Sequence, residues 1–192
     1  MLKRPLSLVV ILHQDLAEHD RHELFETYFS WLEEEMENIS ARPMAIVLVR
    51  PSEAPDLSSY NYKNSSSSAA LAGWAERVDD YLLKRYKDKN IRINRKLNKY
   101  LLLTRTDINS DIAGVAQRGG HVGIASITVS NAPAHEVGHM FNATHEDADI
   151  LYNGWWSETP LNTPGFFTPL RLDAQRFSDN NREIIRQYLE KA

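Results

Sequence analysis

The hydrophobic positions of the chain form two kinds of pattern: continuous apolar runs, and segments in which apolar residues recur at helical spacing. Continuous runs rich in β-branched residues and leucine predict buried strands at residues 6–12, 44–49 and 97–104. Helical spacing predicts helices at residues 15–38, 69–88, 132–141 and 178–189. Residues 121–129 alternate apolar and polar side chains, which predicts a half-exposed strand at a sheet edge. Asp15 is the expected N-cap of the first helix, and Ser178 that of the last.

The order of these elements predicts the fold class. Strands and helices alternate along much of the 192-residue chain, a length that usually forms one domain. We therefore expect an α/β fold with a mixed, mostly parallel sheet, an antiparallel edge strand and helices packed against the sheet. Residues 51–68 are rich in serine, proline and asparagine, which predicts a long solvated loop.

The composition narrows the classes of partner and site. The formal net charge of −4 gives no indication of a nucleic-acid or membrane partner. Because the chain has no cysteine, disulfides and thiolate metal sites are excluded. No apolar stretch reaches the roughly 20 residues of a membrane-spanning helix. The first apolar run follows Lys3 and Arg4, and we interpret it as a strand rather than a short signal peptide. We expect a monomer and predict no compartment.

The segment from His135 to His145 indicates the chemistry. It reads His-Glu-Val-Gly-His-Met-Phe-Asn-Ala-Thr-His. Residues four positions apart share a helix face, so His135 and His139 can direct their imidazoles at one metal ion. Glu136 is placed to reach a metal-bound water without being a ligand. We predict His135, His139 and His145 as metal ligands and Glu136 as the catalytic base.

His145 can join the same site only if the helix ends before it. In a continued helix His145 would lie about 9 Å beyond His139 along the axis, whereas zinc–nitrogen bonds are about 2.0–2.1 Å long. The chain must therefore turn back, and Asn142 lies where the turn is needed. Asparagine tolerates a left-handed backbone best after glycine, so we predict a positive φ at Asn142. Three neutral histidines leave a fourth tetrahedral position for water, as in a catalytic zinc site.

In this segment the sequence resembles the metzincin zinc metallopeptidases, whose signature is His-Glu-x-x-His-x-x-Gly-x-x-His followed by a methionine-containing turn. Residues 114–126 look like the edge strand that pairs with an extended substrate in this family, and residues 178–189 look like its C-terminal helix. The resemblance implies one metallopeptidase domain, 1–192, with an upper part, 1–142, and a small lower subdomain, 143–192. Among metzincins, the short spacing after the third histidine most resembles the matrixins and small bacterial members.

Two positions depart from the family's signature. Asn142 replaces its glycine, and no methionine follows the motif, because Met140 is the last methionine of the chain. Residues 149–154 resemble the turn, with Leu151 in the position of the methionine. Leucine conserves the volume and apolar character of methionine, so we predict that Leu151 forms the apolar floor under the metal ligands.

The resemblance also implies substrate-binding residues. Gly123, Ile124 and Ala125 would hold the peptide backbone by strand addition. Tyr152 would line the pocket for the side chain after the scissile bond.

The function implied by the resemblance is that of a zinc-dependent endopeptidase with one catalytic Zn²⁺ and a peptide or protein substrate. Zinc lowers the pKa of its bound water towards 7, and Glu136 takes the water's proton and delivers it to the leaving amine. Two alternatives stay open. The missing methionine favours a pseudopeptidase, a zinc-stabilised binding module without turnover. The sequence also allows a zinc hydrolase of a non-peptide amide.

Overall fold

The computed structural model describes residues 3–89, 93–146, 150–152, 156–158 and 172–192; for residues 89, 150–152, 156–158 and 172–173 it describes only the backbone. The strands are β1 Leu6–Leu12, β2 Met44–Val49, β3 Asn98–Thr104, β4 Gly114–Ala116, β5 Val122–Ser126, β6 Ile150–Tyr152, β7 Trp156–Glu158 and β8 Leu172–Asp173. The helices are α1 Arg21–Tyr28, α2 Ser30–Ser40, α3 Pro55–Ser58, α4 Ser67–Lys89, α5 Ala132–Met140 and α6 Asp179–Glu190.

Five strands form one sheet in the order β2-β1-β3-β5-β4. The neighbours β2–β1, β1–β3 and β3–β5 are parallel, and β4 is antiparallel to β5. This confirms the predicted α/β class with a mostly parallel sheet and an antiparallel edge strand. A second sheet has the order β6-β7-β8, in which β6 and β7 are antiparallel and β7 and β8 are parallel. The division of the chain into parts 1–142 and 143–192 stays a prediction.

Successive residues of a strand point to opposite faces of a sheet. Helices pack on both faces of the five-stranded sheet. On one face, Leu8 and Val10 of β1 belong to a buried cluster with residues of α1, α2, α5 and α6. On the other face, Tyr100 and Leu102 of β3 belong to a cluster with Trp74 of α4. Parallel strands that are covered on both faces are expected to be apolar throughout. No helix in the described part of the chain has the length and apolar character needed to cross a membrane.

The two edges of this sheet differ in how their outward backbone groups are satisfied. At β2, helix side chains stand where another strand would pair: Met44 N–H donates to Glu37 at 2.8 Å, and Ile46 N–H donates to Glu33 at 3.2 Å. Such caps close an edge strand against pairing with another chain. At the other end of the sheet, the described residues include no strand paired with the outer side of β4. Among the residues that the structure describes, the outer edge of β4 is therefore open.

The strand predicted at residues 121–129 is shorter than expected and lies inside the sheet. β5 spans Val122–Ser126, is buried at every position, and pairs with β3 on one side and β4 on the other. The prediction of an edge strand at 121–129 is therefore wrong. The edge is β4, whose three residues are too few to show an alternating pattern.

The first predicted helix is interrupted. Phe29, with a φ of −128°, separates α1 from α2. The predicted cap is also wrong, because Asp20 caps α1 by accepting a hydrogen bond from the Glu23 N–H at 2.9 Å. Aspartate followed three residues later by glutamate has the spacing of a capping box. Asp15 instead accepts a hydrogen bond from the Tyr62 hydroxyl at 2.8 Å, which ties the end of β1 to the loop before α4.

Candidate metal centre

Helix α5 carries the first two histidines of the motif. It begins with Pro133 in its first turn, where the missing N–H of proline leaves no helical hydrogen bond unmade. Val137 and Met140 anchor the helix in the buried cluster. His135 and His139 lie half-buried, one helical turn apart, as the spacing predicted.

The helix ends in a Schellman turn at Asn142. The Ala143 N–H donates to the Gly138 carbonyl at 3.0 Å, and the Asn142 N–H donates to the His139 carbonyl at 2.9 Å. Asn142 has a φ of 81°, so the predicted left-handed residue is confirmed. The turn reverses the chain and brings His145 back towards the histidines of α5.

The Nε2 atoms of the three histidines form a nearly equilateral triangle. The distances are 3.1 Å for His135–His139, 2.9 Å for His139–His145 and 2.9 Å for His135–His145. A tetrahedral ion with bonds of about 2.0–2.1 Å holds its nitrogen ligands about 3.3–3.4 Å apart, so the triangle is within about 0.5 Å of that spacing. The three histidines are therefore placed to bind one metal ion.

A backbone carbonyl orients the ring of His139. Its Nδ1 lies 3.0 Å from the Ala143 carbonyl oxygen. A carbonyl oxygen only accepts, so Nδ1 carries the proton and Nε2 keeps the lone pair that a metal ligand needs. Burial lowers the pKa of His139, the charge of Arg118 acts in the same direction, and the bond to Ala143 opposes them. The net effect favours the neutral ring that binds metal.

The C-terminal helix holds the segment that carries the third ligand. Asn181 of α6 is fully buried, accepts a hydrogen bond from the Thr144 N–H at 2.8 Å and donates to the Thr144 carbonyl at 3.0 Å. Ser178 caps α6 as predicted, by accepting a hydrogen bond from the Asn181 N–H at 3.2 Å. One buried amide thus satisfies both backbone groups of the residue directly before His145.

Substitutions of Asn142 test this turn. Asn142→Gly is expected to leave the free energy of unfolding and the metal affinity nearly unchanged, because glycine adopts a positive φ without steric cost. Asn142→Val should cost about 1–2 kcal/mol and weaken metal binding, because a β-branched residue is strained there. Urea unfolding and metal titration of both variants measure these effects, and equal values for the two variants would contradict the prediction.

Glu136 lies against the edge strand rather than among the ligands. The residue is 6% exposed. A Cβ built on Gly114 would lie 2.7 Å from its Oε1 and 2.8 Å from its Cγ. Burial raises the pKa of the Glu136 carboxyl well above its usual value, which suits a group that must accept and release a proton. The contact with Gly114 was not predicted, although a glycine within a strand often marks such a close approach.

The loop that joins β4 to β5 is bound to the end of α5 and to α6. The Gly119 N–H donates to the His139 carbonyl at 2.8 Å, and the Tyr188 hydroxyl donates to the Gly119 carbonyl at 3.0 Å. Lys99, fully buried on β3, donates to the Gly120 carbonyl at 2.8 Å and to the Tyr188 hydroxyl at 3.2 Å. The loop is thus anchored on α5, which carries His135 and His139, and on α6, which also binds the residue before His145.

Lys99 should make stability depend on pH. Burial lowers its pKa to about 7 from 10.5, and the charge of Lys96 adds to the effect. Burial keeps the contacting Tyr188 neutral by raising its pKa. Between about pH 7 and pH 10 the unfolded chain binds more protons, so the free energy of unfolding rises with pH, on the order of a few kcal/mol from this group. Lys99→Met should lose that rise and the exposed control Lys84→Met should keep it. Urea unfolding at about pH 7 and pH 9.5 compares them, and an equal rise in both would contradict the prediction.

The residues predicted to bind substrate are only partly described. Gly123, Ile124 and Ala125 lie within β5, where β3 and β4 pair with both sides of the backbone. Their contact with a substrate stays a prediction, and an added strand would pair with β4 instead. Leu151 and Tyr152 lie in β6, but their side chains are outside the described residues. The apolar floor and the pocket therefore stay predictions as well.

No protein-family model matches the sequence, and no curated protein matches it at a significant level. The classification of this chain therefore rests on its fold and on its candidate metal site. The chain is an α/β protein with a mixed sheet and a three-histidine site able to bind metal, an arrangement compatible with a metzincin.

Proposed function

We propose that this chain is a zinc-dependent metallopeptidase of the metzincin class. The observation that carries the proposal is the convergence of three histidine Nε2 atoms, 2.9–3.1 Å apart, with a buried carboxylate beside them that is not a ligand. Imidazole nitrogens suit zinc, and three protein ligands leave a coordination position free for chemistry. A sealed structural site would need a fourth protein ligand.

Glu136 is the residue proposed to move the proton. When bound, zinc lowers the pKa of a coordinated water towards 7 and polarises the scissile carbonyl. Glu136 accepts a proton at its carboxylate and returns it to the leaving amine. Burial raises the pKa of the Glu136 carboxyl, so this carboxyl takes up a proton more readily than an exposed glutamate does. The absence of a side chain at Gly114 leaves the room in which the Glu136 carboxylate lies.

The open edge of β4 supports a peptide as the substrate class. An extended peptide can add to an exposed strand through backbone hydrogen bonds. Gly114 belongs to this strand and contacts Glu136, so a peptide paired with β4 would pass beside the proposed base. We propose no nucleic-acid or membrane partner, and we propose that the chain acts as a monomer.

A zinc-binding pseudopeptidase is the second candidate, and one sequence feature favours it. Leu151 stands in the position that the resemblance assigns to the methionine of the metzincin turn. The third candidate, a zinc hydrolase of a non-peptide amide, shares the same metal centre and base.

Metal analysis combined with a cleavage screen tests the proposal. The purified chain should hold one zinc, cleave members of a broad peptide library, lose cleavage with a chelator and recover it when zinc returns. His139→Ala should lose zinc, whereas the control His121→Ala should keep it, because His121 Nε2 contacts Asp79 at 2.9 Å and not the metal centre. Zinc without cleavage would favour the pseudopeptidase. Cleavage of acylated small molecules alone would favour the third candidate.

A further inference from the structure

Arg118 lies at the rim of the metal centre. It follows β4 by two residues, and its Nε donates a hydrogen bond to Asn142 Oδ1 at 3.1 Å. Asn142 forms the turn between the second and third histidines. This bond therefore holds the guanidinium beside the ligands, at one end of the open strand edge.

The backbone that carries Arg118 is anchored. The next residue, Gly119, donates to the His139 carbonyl at 2.8 Å and accepts from the Tyr188 hydroxyl at 3.0 Å. A group that is already positioned loses less conformational freedom when it binds a ligand. Arg118 is therefore prepared for binding in a way that an arginine on a free loop is not.

The guanidinium of Arg118 keeps most of its donors for a ligand. Five N–H groups are available in arginine, and the bond to Asn142 uses one of them. In the described part of the chain, Arg118 forms no ion pair with a carboxylate. The arginines that do form such pairs are Arg21, Arg95, Arg176, Arg182 and Arg186. The terminal nitrogens of an exposed, unpaired guanidinium match the two oxygens of a carboxylate.

The distance from the proposed base limits which part of a substrate can reach Arg118. Gly114 gives the position of the proposed base along β4, because it lies against Glu136. Arg118 lies four residues further along the chain, which is at most about 13 Å at 3.3 Å per extended residue. A peptide paired with β4 spans that distance in about four residues.

We propose that Arg118 determines specificity by binding an aspartate or glutamate side chain of the substrate within about four residues of the scissile bond. The inference rests on the proposed peptidase function and names its substrate class, peptides with an acidic residue near the cleavage position. The net charge of the chain is −4, so its overall field disfavours acidic peptides. A preference for peptides with an acidic side chain must therefore come from a positively charged group close to the site.

Peptide hydroxamates, which chelate zinc without being cleaved, provide the test. The zinc-loaded chain is titrated by calorimetry with two series, one extending to each side of the zinc-binding group. Each of the first four positions carries glutamate or glutamine in turn. The proteins are wild type, Arg118→Gln and the matched control Arg85→Gln. Arg85 also donates one side-chain hydrogen bond, to the Tyr81 hydroxyl at 2.9 Å, but it lies on α4, which covers the other face of the sheet.

At one position we expect glutamate to bind wild type and Arg85→Gln about tenfold more tightly than glutamine, and Arg118→Gln to bind both equally. Equal binding of glutamate and glutamine by wild type at every position would overturn the inference. So would a preference that persists in Arg118→Gln. A chain that discriminates between the hydroxamates but cleaves no peptide would contradict the peptidase function while supporting the role of Arg118.

Discussion

Replacing Glu136 by glutamine is expected to lower peptide hydrolysis by about 10²- to 10⁴-fold, the range that a general acid–base residue contributes. Glutamine has nearly the same size, but its amide does not take up a proton as a carboxylate does. The three histidines that converge on the metal position do not include Glu136, so metal content should not change. Metal analysis and peptide cleavage on one preparation measure both quantities.

Glu146→Gln is the matched control, because it removes a carboxylate close to the centre without touching the proposed base. Glu146 is exposed and follows His145 directly. Solvent screens an exposed charge, so this variant should keep hydrolysis within about threefold of wild type. Wild-type cleavage by Glu136→Gln would remove Glu136 from the mechanism. Equal losses in both variants would point to a general effect of charge.

Gly114→Ala is expected to reduce hydrolysis about 100-fold with the metal still bound. The added Cβ would lie 2.7 Å from Oε1 and 2.8 Å from Cγ of Glu136, and 3.0 Å from the Ile124 carbonyl oxygen. The carbonyl belongs to a paired strand and moves little, so the Glu136 side chain must shift. Misplacing a catalytic group by about 1 Å costs on the order of 10²-fold in rate. Steady-state cleavage kinetics and metal analysis provide the measurement.

A double-mutant cycle separates this mechanism from a general loss of folding. In the Glu136→Gln background, Gly114→Ala should have little further effect on the remaining hydrolysis, because the base that it displaces is already gone. The two single losses should therefore be far from additive. Full additivity would mean that Gly114 acts on the site by a route other than Glu136.

The metal ligands could be predicted from the sequence because their constraints are local. The helical repeat aligns His135 with His139, and the short metal–nitrogen bond demands a reversal before His145. Asn142 is the residue type that supports such a reversal, and its φ of 81° agrees. None of these steps requires knowledge of the rest of the chain.

The contacts that orient the site were beyond prediction, because they join residues far apart in sequence. Asn181 binds Thr144 across 37 residues. Lys99 reaches Tyr188 across 89 residues. No local pattern of apolar and polar residues marks such partners, since hydrophobic periodicity reports only the face of an element.

The wrong edge strand has a specific physical cause. Ser126 gave residues 121–129 part of their apparent alternation, and a serine in a strand usually indicates exposure. In the structure Ser126 is completely buried, and its hydroxyl donates a hydrogen bond to the Asp107 carboxylate. A polar residue with a buried partner is indistinguishable in sequence from a solvated one.

The unequal edges of the sheet restrict how copies of this chain could assemble. Glu37 and Glu33 accept hydrogen bonds from the outward N–H groups of Met44 and Ile46 in β2, so a neighbouring molecule cannot extend the sheet there without displacing them. Another strand could pair with the sheet at its other edge strand, β4, in which Gly114 lies against Glu136. A symmetric dimer joined along β4 would pair the two β4 strands side by side, each beside the proposed base of its own chain. A dimer that extends the five-stranded sheet through β4 would therefore occupy the edge at which the proposed substrate binds.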